Sequence, residues 1–196
     1  MNIFGIISEY NPFHMGHKHH IDQTRALLGE DSGAICVMSG NFVQRGEAAA
    51  FTKNARAECA IRGGADLVLE LPLPWAISSA EGFARGAVGI LDACGVVSHI
   101  SFGSESGNVK VLDDIAKLLL APELDAIIKD TLSGGMSYAS ARQIAAEKLA
   151  GKALPEMKSP NNILGIEYIK ALYDLRSAIK PVTIPRIGAG HDQSGG

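Results

Sequence analysis

The sequence predicts an α/β fold, a Rossmann-like parallel sheet with additional helices in the second half. Three features predict it. Asn2 to Ser8 is a continuous apolar run with β-branched content, the pattern of a strand buried on both faces. Similar runs then alternate with helix-length segments closed by glycine or proline, as a parallel sheet with right-handed crossovers requires. After Gly103 the alternation gives way to successive helical segments.

The elements follow in order. After the first strand, Asn11-Pro12 punctuates the chain, and a helix runs from about Gly16 to Leu28 before Gly29. Ala34 to Met38 is a second strand. Thr52 to Arg62 is a helix, with Thr52 as N-cap and Gly63-Gly64 as its stop. Asp66 to Leu71 is a third strand, ended by Pro72 and Pro74. Ser78 to Cys94 is a helix rich in small residues, and His99 to Phe102 a fourth strand. Helices are then expected over Val109–Leu120, Glu123–Leu132, Tyr138–Ala150 and Asn162–Leu175, followed by a short strand at Val182–Ile184. This divides the chain into a nucleotide-binding core over 1–106 and a mostly helical extension over 107–196 packed on it. The final glycine-rich stretch, Gly188 to Gly196, has no stop signal of its own and reads as an open end.

Composition sets outer bounds. The 196 residues are 46% apolar and 20% charged, ordinary globular values. A net charge of −3 does not advertise nucleic-acid binding, so a large RNA partner would need a local basic face. Cys36, Cys59 and Cys94 follow no metal spacing and read as reduced, buried thiols. No signal peptide is visible, and no apolar run reaches the roughly 18 residues of a membrane helix. A cytoplasmic protein away from membranes is expected.

The chemistry concentrates at the first βα junction, Glu9-Tyr10-Asn11-Pro12-Phe13-His14-Met15-Gly16-His17. The first strand of such a sheet delivers its loop to the carboxyl edge, where ligands bind. The following helix start offers free N–H groups and a positive dipole end, which suit phosphate. Gly16 removes a side chain where a nucleotide would come close. His14 and His17, three apart, share one face of the first turn and could donate hydrogen bonds to a phosphorus centre gaining negative charge. Four histidines within seven residues could also be a metal site or a polar helix face, but no acidic or cysteine pattern completes a metal site. His19 and His20 by themselves read as surface.

His14-x-Gly16-His17 after an N-terminal strand resembles the signature of the HxGH nucleotidyltransferases. The fuller string from Glu9 to His17 resembles one family among them, the bacterial tRNA(Met) cytidine acetate ligases. Met38 to Glu47, Asp66 to Pro72, Phe102-Gly103-Ser104-Glu105 and Ser159 to Gly165 resemble that family too. The resemblance implies the HxGH type of Rossmann-like sheet. It implies activation of acetate with ATP to acetyl-adenylate and pyrophosphate, then acetyl transfer to N4 of the wobble cytidine of elongator tRNA(Met), releasing AMP. By it, ATP would be cradled by Ile7, Ser8, Glu9, Tyr10, Asn11, Pro12, Phe13, His14, Met15, Gly16, His17, Lys18, His19 and His20. Gly103 would lie against adenosine, and Asn162 and Arg186 would touch the nucleotide. The alternative readings are a helix N-cap for Asn162 and a free surface residue for Arg186.

Arg45 and Lys53, the basic residues nearest the end of the second strand, could face acetate, phosphate or tRNA, or only solvent. Glu70 could orient a basic residue, and Trp75 reads as packing. Ser137 to Arg142 superficially resembles the second phosphate motif of HxGH enzymes, but its helical setting argues against that role. Members of the resembling family continue into a region thought to hold tRNA, so this chain reads as truncated before it. Mg²⁺ is expected with ATP on general grounds, and no resident metal is read from the residues. Two other functions compete. One is a small-molecule adenylyl- or cytidylyltransferase of cofactor synthesis, which usually has Thr/Ser-Phe-Asp-Pro before the first histidine. Here Glu9 would repel an incoming phosphate. The other is a nucleotide- or tRNA-binding scaffold without turnover.

Overall fold

The computed structural model describes residues 1–132 and 135–186. The stretch 188–196 and the side chain of Arg45 lie outside what is described. Five parallel strands form one sheet: β1 (Ile3–Ser8), β2 (Gly33–Ser39), β3 (Leu67–Leu71), β4 (His99–Ser104) and β5 (Lys180–Pro185), in the order β3-β2-β1-β4-β5. The strand order reverses on either side of β1. The carboxyl end of β1 is therefore a topological switch point, where the crossovers diverge and leave a crevice.

Alternate residues of β1 serve two cores. Phe4 and Ile6 join Ile21 of helix α1 (Met15–Leu28) and Ala60 of α2 (Lys53–Arg62) on one face. Ile7 joins the larger core on the other face. There α4 (Ala80–Ala93) and α8 (Pro160–Asp174) pack on the sheet, after the single-turn α3 (Leu73–Ala76). Helices α5 (Val109–Leu119), α6 (Leu124–Leu132) and α7 (Tyr138–Ala150) complete that layer. Leu112, Ile128 and Ala145 from these helices belong to the same buried cluster as Leu91 and Ile100.

The strands and helices fall within a few residues of the sequence expectations. Two differences matter. The final strand is longer than Val182–Ile184 and pairs with β4 along six positions, His99 with Lys180 through Ser104 with Pro185. It brings Arg186 to the carboxyl edge. The segment with Pro72 and Pro74 is a helical turn, with Trp75 over Gly86 of α4, as a packing role requires. Cys36 is buried, but Cys59 is exposed on α2, contrary to the expectation of buried thiols. Among the described residues, no helix is long and apolar enough to cross a membrane.

Candidate active site

A cavity of about 570 Å³ opens at the carboxyl edge of the sheet, over the ends of β1, β4 and β5. Ile7, Ser8, Glu9, Tyr10, Asn11 and Pro12 form its floor and rim. His14, Gly16, His17, His19 and His20 line the α1 side. Phe83 of α4, with Leu164 and Tyr168 of α8, lines the other, and Gly103 and Arg186 close the β4–β5 end. A hollow of about 650 Å³ at the opposite edge includes Arg25 and Asp66, but these already bond each other at 2.7 Å. No chemistry is read there.

The two signature histidines cap their own helix reciprocally. His14 is the N-cap, with extended backbone, and its Nδ1 accepts from the Gly16 N–H at 3.1 Å. The His14 N–H donates to His17 Nδ1 at 3.2 Å. A nitrogen that accepts from a backbone N–H carries a lone pair, so the proton of each neutral ring sits on Nε2. Both rings are thereby fixed as Nε2–H donors. They stack with centroids 3.7 Å apart and planes 20° apart. Burial first, then the positive partners His14, His20 and Arg186, lower His17 to about 3. It is a neutral donor across the working pH range.

This arrangement changes the sequence reading in one respect. The N–H of Gly16 is taken by His14, and those of His17 and Lys18 by the His14 carbonyl. At these three positions the helix start therefore presents imidazole N–H rather than free backbone N–H to an anion. Gly16 itself makes room for His14: an added Cβ would lie 2.9 Å from the ring Cε1.

His20 is half-buried and held by a hydroxyl chain. Thr24 donates its proton to the His20 carbonyl at 2.8 Å, so it must accept from Ser101 at 2.7 Å. Ser101 then accepts from His20 Nε2 at 2.8 Å. Counting protons fixes this ring as the Nε2–H tautomer as well. Burial, followed by His19 and Arg186, lowers His20 to about 4.

The facing wall is built around Glu105, which follows β4. Its Oε2 accepts from the Asn162 N–H at 2.9 Å, and its Oε1 from the Asn161 side chain at 2.7 Å. A carboxylate thus occupies the positive end of α8. Burial would raise its pKa, but the Asn161 side chain and the backbone N–H groups outweigh this and lower it. Asn161, which lines the cavity, accepts from Arg186 Nη1 at 3.3 Å. Asn162 lies below the wall, 3% exposed, accepting from the Ser106 N–H at 3.1 Å; Ser159 is the N-cap. At Gly103, an added Cβ would lie 3.3 Å from Cγ of Arg186. The missing side chain leaves room for the arginine stem.

The rim is tied down by motif residues and by Arg56, which no motif announces. Glu9 Oε1 accepts from the Gln44 N–H at 2.7 Å, and Asn11 from the Ala50 N–H at 2.7 Å. Arg56 of α2 is 1% exposed and donates to the carbonyls of Glu9, Ser39 and Gly40, joining the ends of β1 and β2.

Several expected residues sit outside the cavity lining. Phe13 packs edge-on to Tyr10, centroids 5.1 Å apart. Met15 is exposed, and Lys18 pairs with Asp22 at 2.8 Å. Lys53 pairs with Glu70 at 2.6 Å, the orienting role considered for that glutamate. Arg45 is placed by its backbone in the turn Gln44–Gly46. Arg142 bonds Glu167 at 2.5 Å in a network with Lys170 and Glu81, away from the cavity. Sequence reasoning missed Gln44, Phe83, Asn161, Leu164 and Tyr168 as cavity residues. Gln44, Asn161 and Leu164 lie inside segments quoted for the resemblance, whereas Phe83 and Tyr168 look like ordinary core residues. Among the described residues, no group of three or more His, Cys, Asp or Glu side chains is placed to hold a metal ion.

The chain is similar to several known proteins. The chain is 50% identical over 192 residues to a tRNA(Met) cytidine acetate ligase of Acetivibrio thermocellus, covering 95% of this chain and 46% of that protein. It is 47% identical over 194 residues to one of Fervidobacterium nodosum, covering 98% and 45%. It thus spans about half the length of the curated relatives it matches. The crystal structure of Thermotoga maritima TmcAL bound with α-thio ATP superposes with a TM-score of 0.89 at 42% identity, covering 96% of this chain and 47% of that one. Its apo form gives 0.91 at 41% identity, covering 100% and 48%. With the signature histidines at the mouth of the switch-point cavity, and a family match over residues 1–195, the chain belongs to the HIGH Nucleotidyl Transferase family.

Proposed function

We propose that this chain carries the activation site of an ATP-dependent tRNA(Met) cytidine acetate ligase. The observation that carries the reading is the reciprocal cap, which aims the chemistry of two neutral Nε2–H donors at one cavity. A carboxylate oxygen of acetate would attack the α-phosphorus of ATP. The bond to the bridging oxygen would break, and pyrophosphate would leave. His14 and His17 would hold the equatorial oxygens as their negative charge grows. Neutral donors can do this without a proton being moved.

The remaining residues supply position. Arg186, restrained by Asn161, suits the phosphates. Ile184 and Pro185, with the backbone of Gly103, offer an apolar face for adenosine. Mg²⁺ would arrive on the phosphates. In the second half-reaction the N4 amine of the wobble cytidine of elongator tRNA(Met) would attack the acetyl carbon. The C–O bond to AMP would break, and the amine would lose one proton. The names of the relatives support the acceptor, and a cytoplasmic setting goes with it.

Glu9 on the cavity rim disfavours the cofactor-synthesis alternative, because its carboxylate opposes a dianionic phosphate nucleophile about twice as strongly as monoanionic acetate. The test is acetate-dependent exchange of labelled pyrophosphate into ATP by the protein at full natural length. Exchange driven by acetate supports the reading. Exchange driven only by a phosphorylated substrate would replace it with the transferase reading, and ATP binding without exchange would leave a scaffold.

A further inference from the structure

Tyr168 brings a hydroxyl into an apolar wall of the cavity, beside Phe83, Phe102 and Leu164. The residue is 4% exposed, and its ring meets Phe102 edge-on with centroids 5.8 Å apart. Its hydroxyl has no hydrogen-bond partner among the described residues, and the residue lines the cavity. Such a group makes sense where a ligand supplies the missing acceptor.

The surroundings say what acceptor fits. Burial, and then the charge of Glu9, raise the phenol above its ordinary pKa, so it stays a donor. Apolar carbon flanks it, which suits a ligand with a short aliphatic remainder. Glu9 sets the charge: Coulomb repulsion scales with ligand charge, so a dianion is opposed about twice as strongly as a monoanion. A small monocarboxylate meets all three conditions.

We propose that Tyr168 recognises the carboxylate nucleophile, donating its phenolic O–H to one carboxylate oxygen while the other attacks the phosphorus held by His14 and His17. Phe83 and Phe102 then limit the length of the acyl chain. This rests on the acetate-activating reading. Tyr168 moves no proton in the step; it orients the nucleophile.

The experiment compares Tyr168→Phe with the parent protein at full natural length. Three quantities are read: acetate KM in pyrophosphate exchange, [1-13C]acetate binding by NMR with ATP present, and melting temperature. The expected result is an acetate KM raised ~10-fold or more, weakened acetate binding, an unchanged ATP KM, and a melting temperature equal or higher. Unchanged acetate KM and binding would overturn the proposal. So would a fall in melting temperature with equal loss of ATP and acetate affinity, which would mark a structural hydroxyl. If the parent shows no acetate-dependent exchange, the activating reading fails, and binding alone decides Tyr168. Acetate binding lost in the variant would sustain the subsite; equal binding, or none by either protein, would overturn it.

Discussion

On the proposed reading His17 does two jobs that one pair of substitutions can separate. Its Nδ1 accepts the His14 N–H at 3.2 Å, and its Nε2–H is the donor assigned to the α-phosphate. Asparagine places an amide oxygen near the position of Nδ1 and has nothing at Nε2. Glutamine places an amide nitrogen near Nε2 and forgoes the cap. His17→Asn should therefore keep the fold and lose the chemistry. Removing one preorganised donor from a transition state costs roughly 10²–10³ in kcat. His17→Gln should retain much more of the exchange activity and lose stability. An N-terminal cap contributes about 1 kcal/mol, which for a domain of this size lowers the melting temperature by roughly 2–4 °C. Acetate-dependent pyrophosphate exchange and thermal melting, run on both variants, give the two axes. Near-normal exchange by His17→Asn together with failure of His17→Gln would refute the reasoning, because the histidine would then act through the cap alone.

Three other outcomes are expected. His17 and His20 have folded pKa values of about 3 and about 4, below the unfolded value, so their contribution is full above about pH 6.5 and is lost as pH falls through that window. Urea midpoints should show a loss of roughly 2–4 kcal/mol between about pH 7 and about pH 5; a flat profile would contradict neutral burial of these rings. Gly103→Val should displace the Arg186 stem, so ATP affinity should fall ~10-fold, as in Arg186→Ala, and the double variant should be no worse than either. Additive losses by ligand titration would mean that valine acts on the nucleotide directly. Glu167→Ala should destabilise by about 3–5 kcal/mol, since it leaves Arg142 and the buried Lys170 without their shared carboxylate; an unchanged denaturation midpoint would show the network to be dispensable.

The sheet was legible because its strands carry their own signal. Ile3–Ser8 and Gly33–Ser39 are apolar on both faces, and only a parallel sheet covered by helices uses such strands. The placement of β5 next to β4 was not legible, since Lys180–Pro185 is short, contains two prolines and is half-exposed. The histidine pair was legible from spacing alone. Its tautomers were not, because they depend on which backbone N–H each Nδ1 accepts. Arg56 and Tyr168 were invisible for a related reason. An arginine in Lys53–Arg62 reads as solvated, and a tyrosine in Pro160–Asp174 reads as core, until the fold turns one under three carbonyls and the other toward a cavity. Helical periodicity tells which face a residue occupies, but not what lies opposite.

The cap explains why this site uses imidazoles at a place where bare backbone would already bind phosphate. A free helix start holds ground state and transition state through the same N–H groups, and uniform binding does not speed the chemical step. Here the N–H groups of His14, Gly16, His17 and Lys18 are taken by His17 Nδ1, His14 Nδ1 and the His14 carbonyl, and donor capacity is added further out by two Nε2–H groups. The rings stand 3.7 Å apart, so they can bracket oxygens of a single phosphorus rather than trail along a polyphosphate. Their stacking also opposes double protonation, and His17 remains uncharged to about pH 3. In the proposed reaction a charged pair would hold pyrophosphate tightly and slow its release. Two neutral donors strengthen chiefly as the equatorial oxygens gain charge, which is the interaction a phosphoryl-transfer site needs.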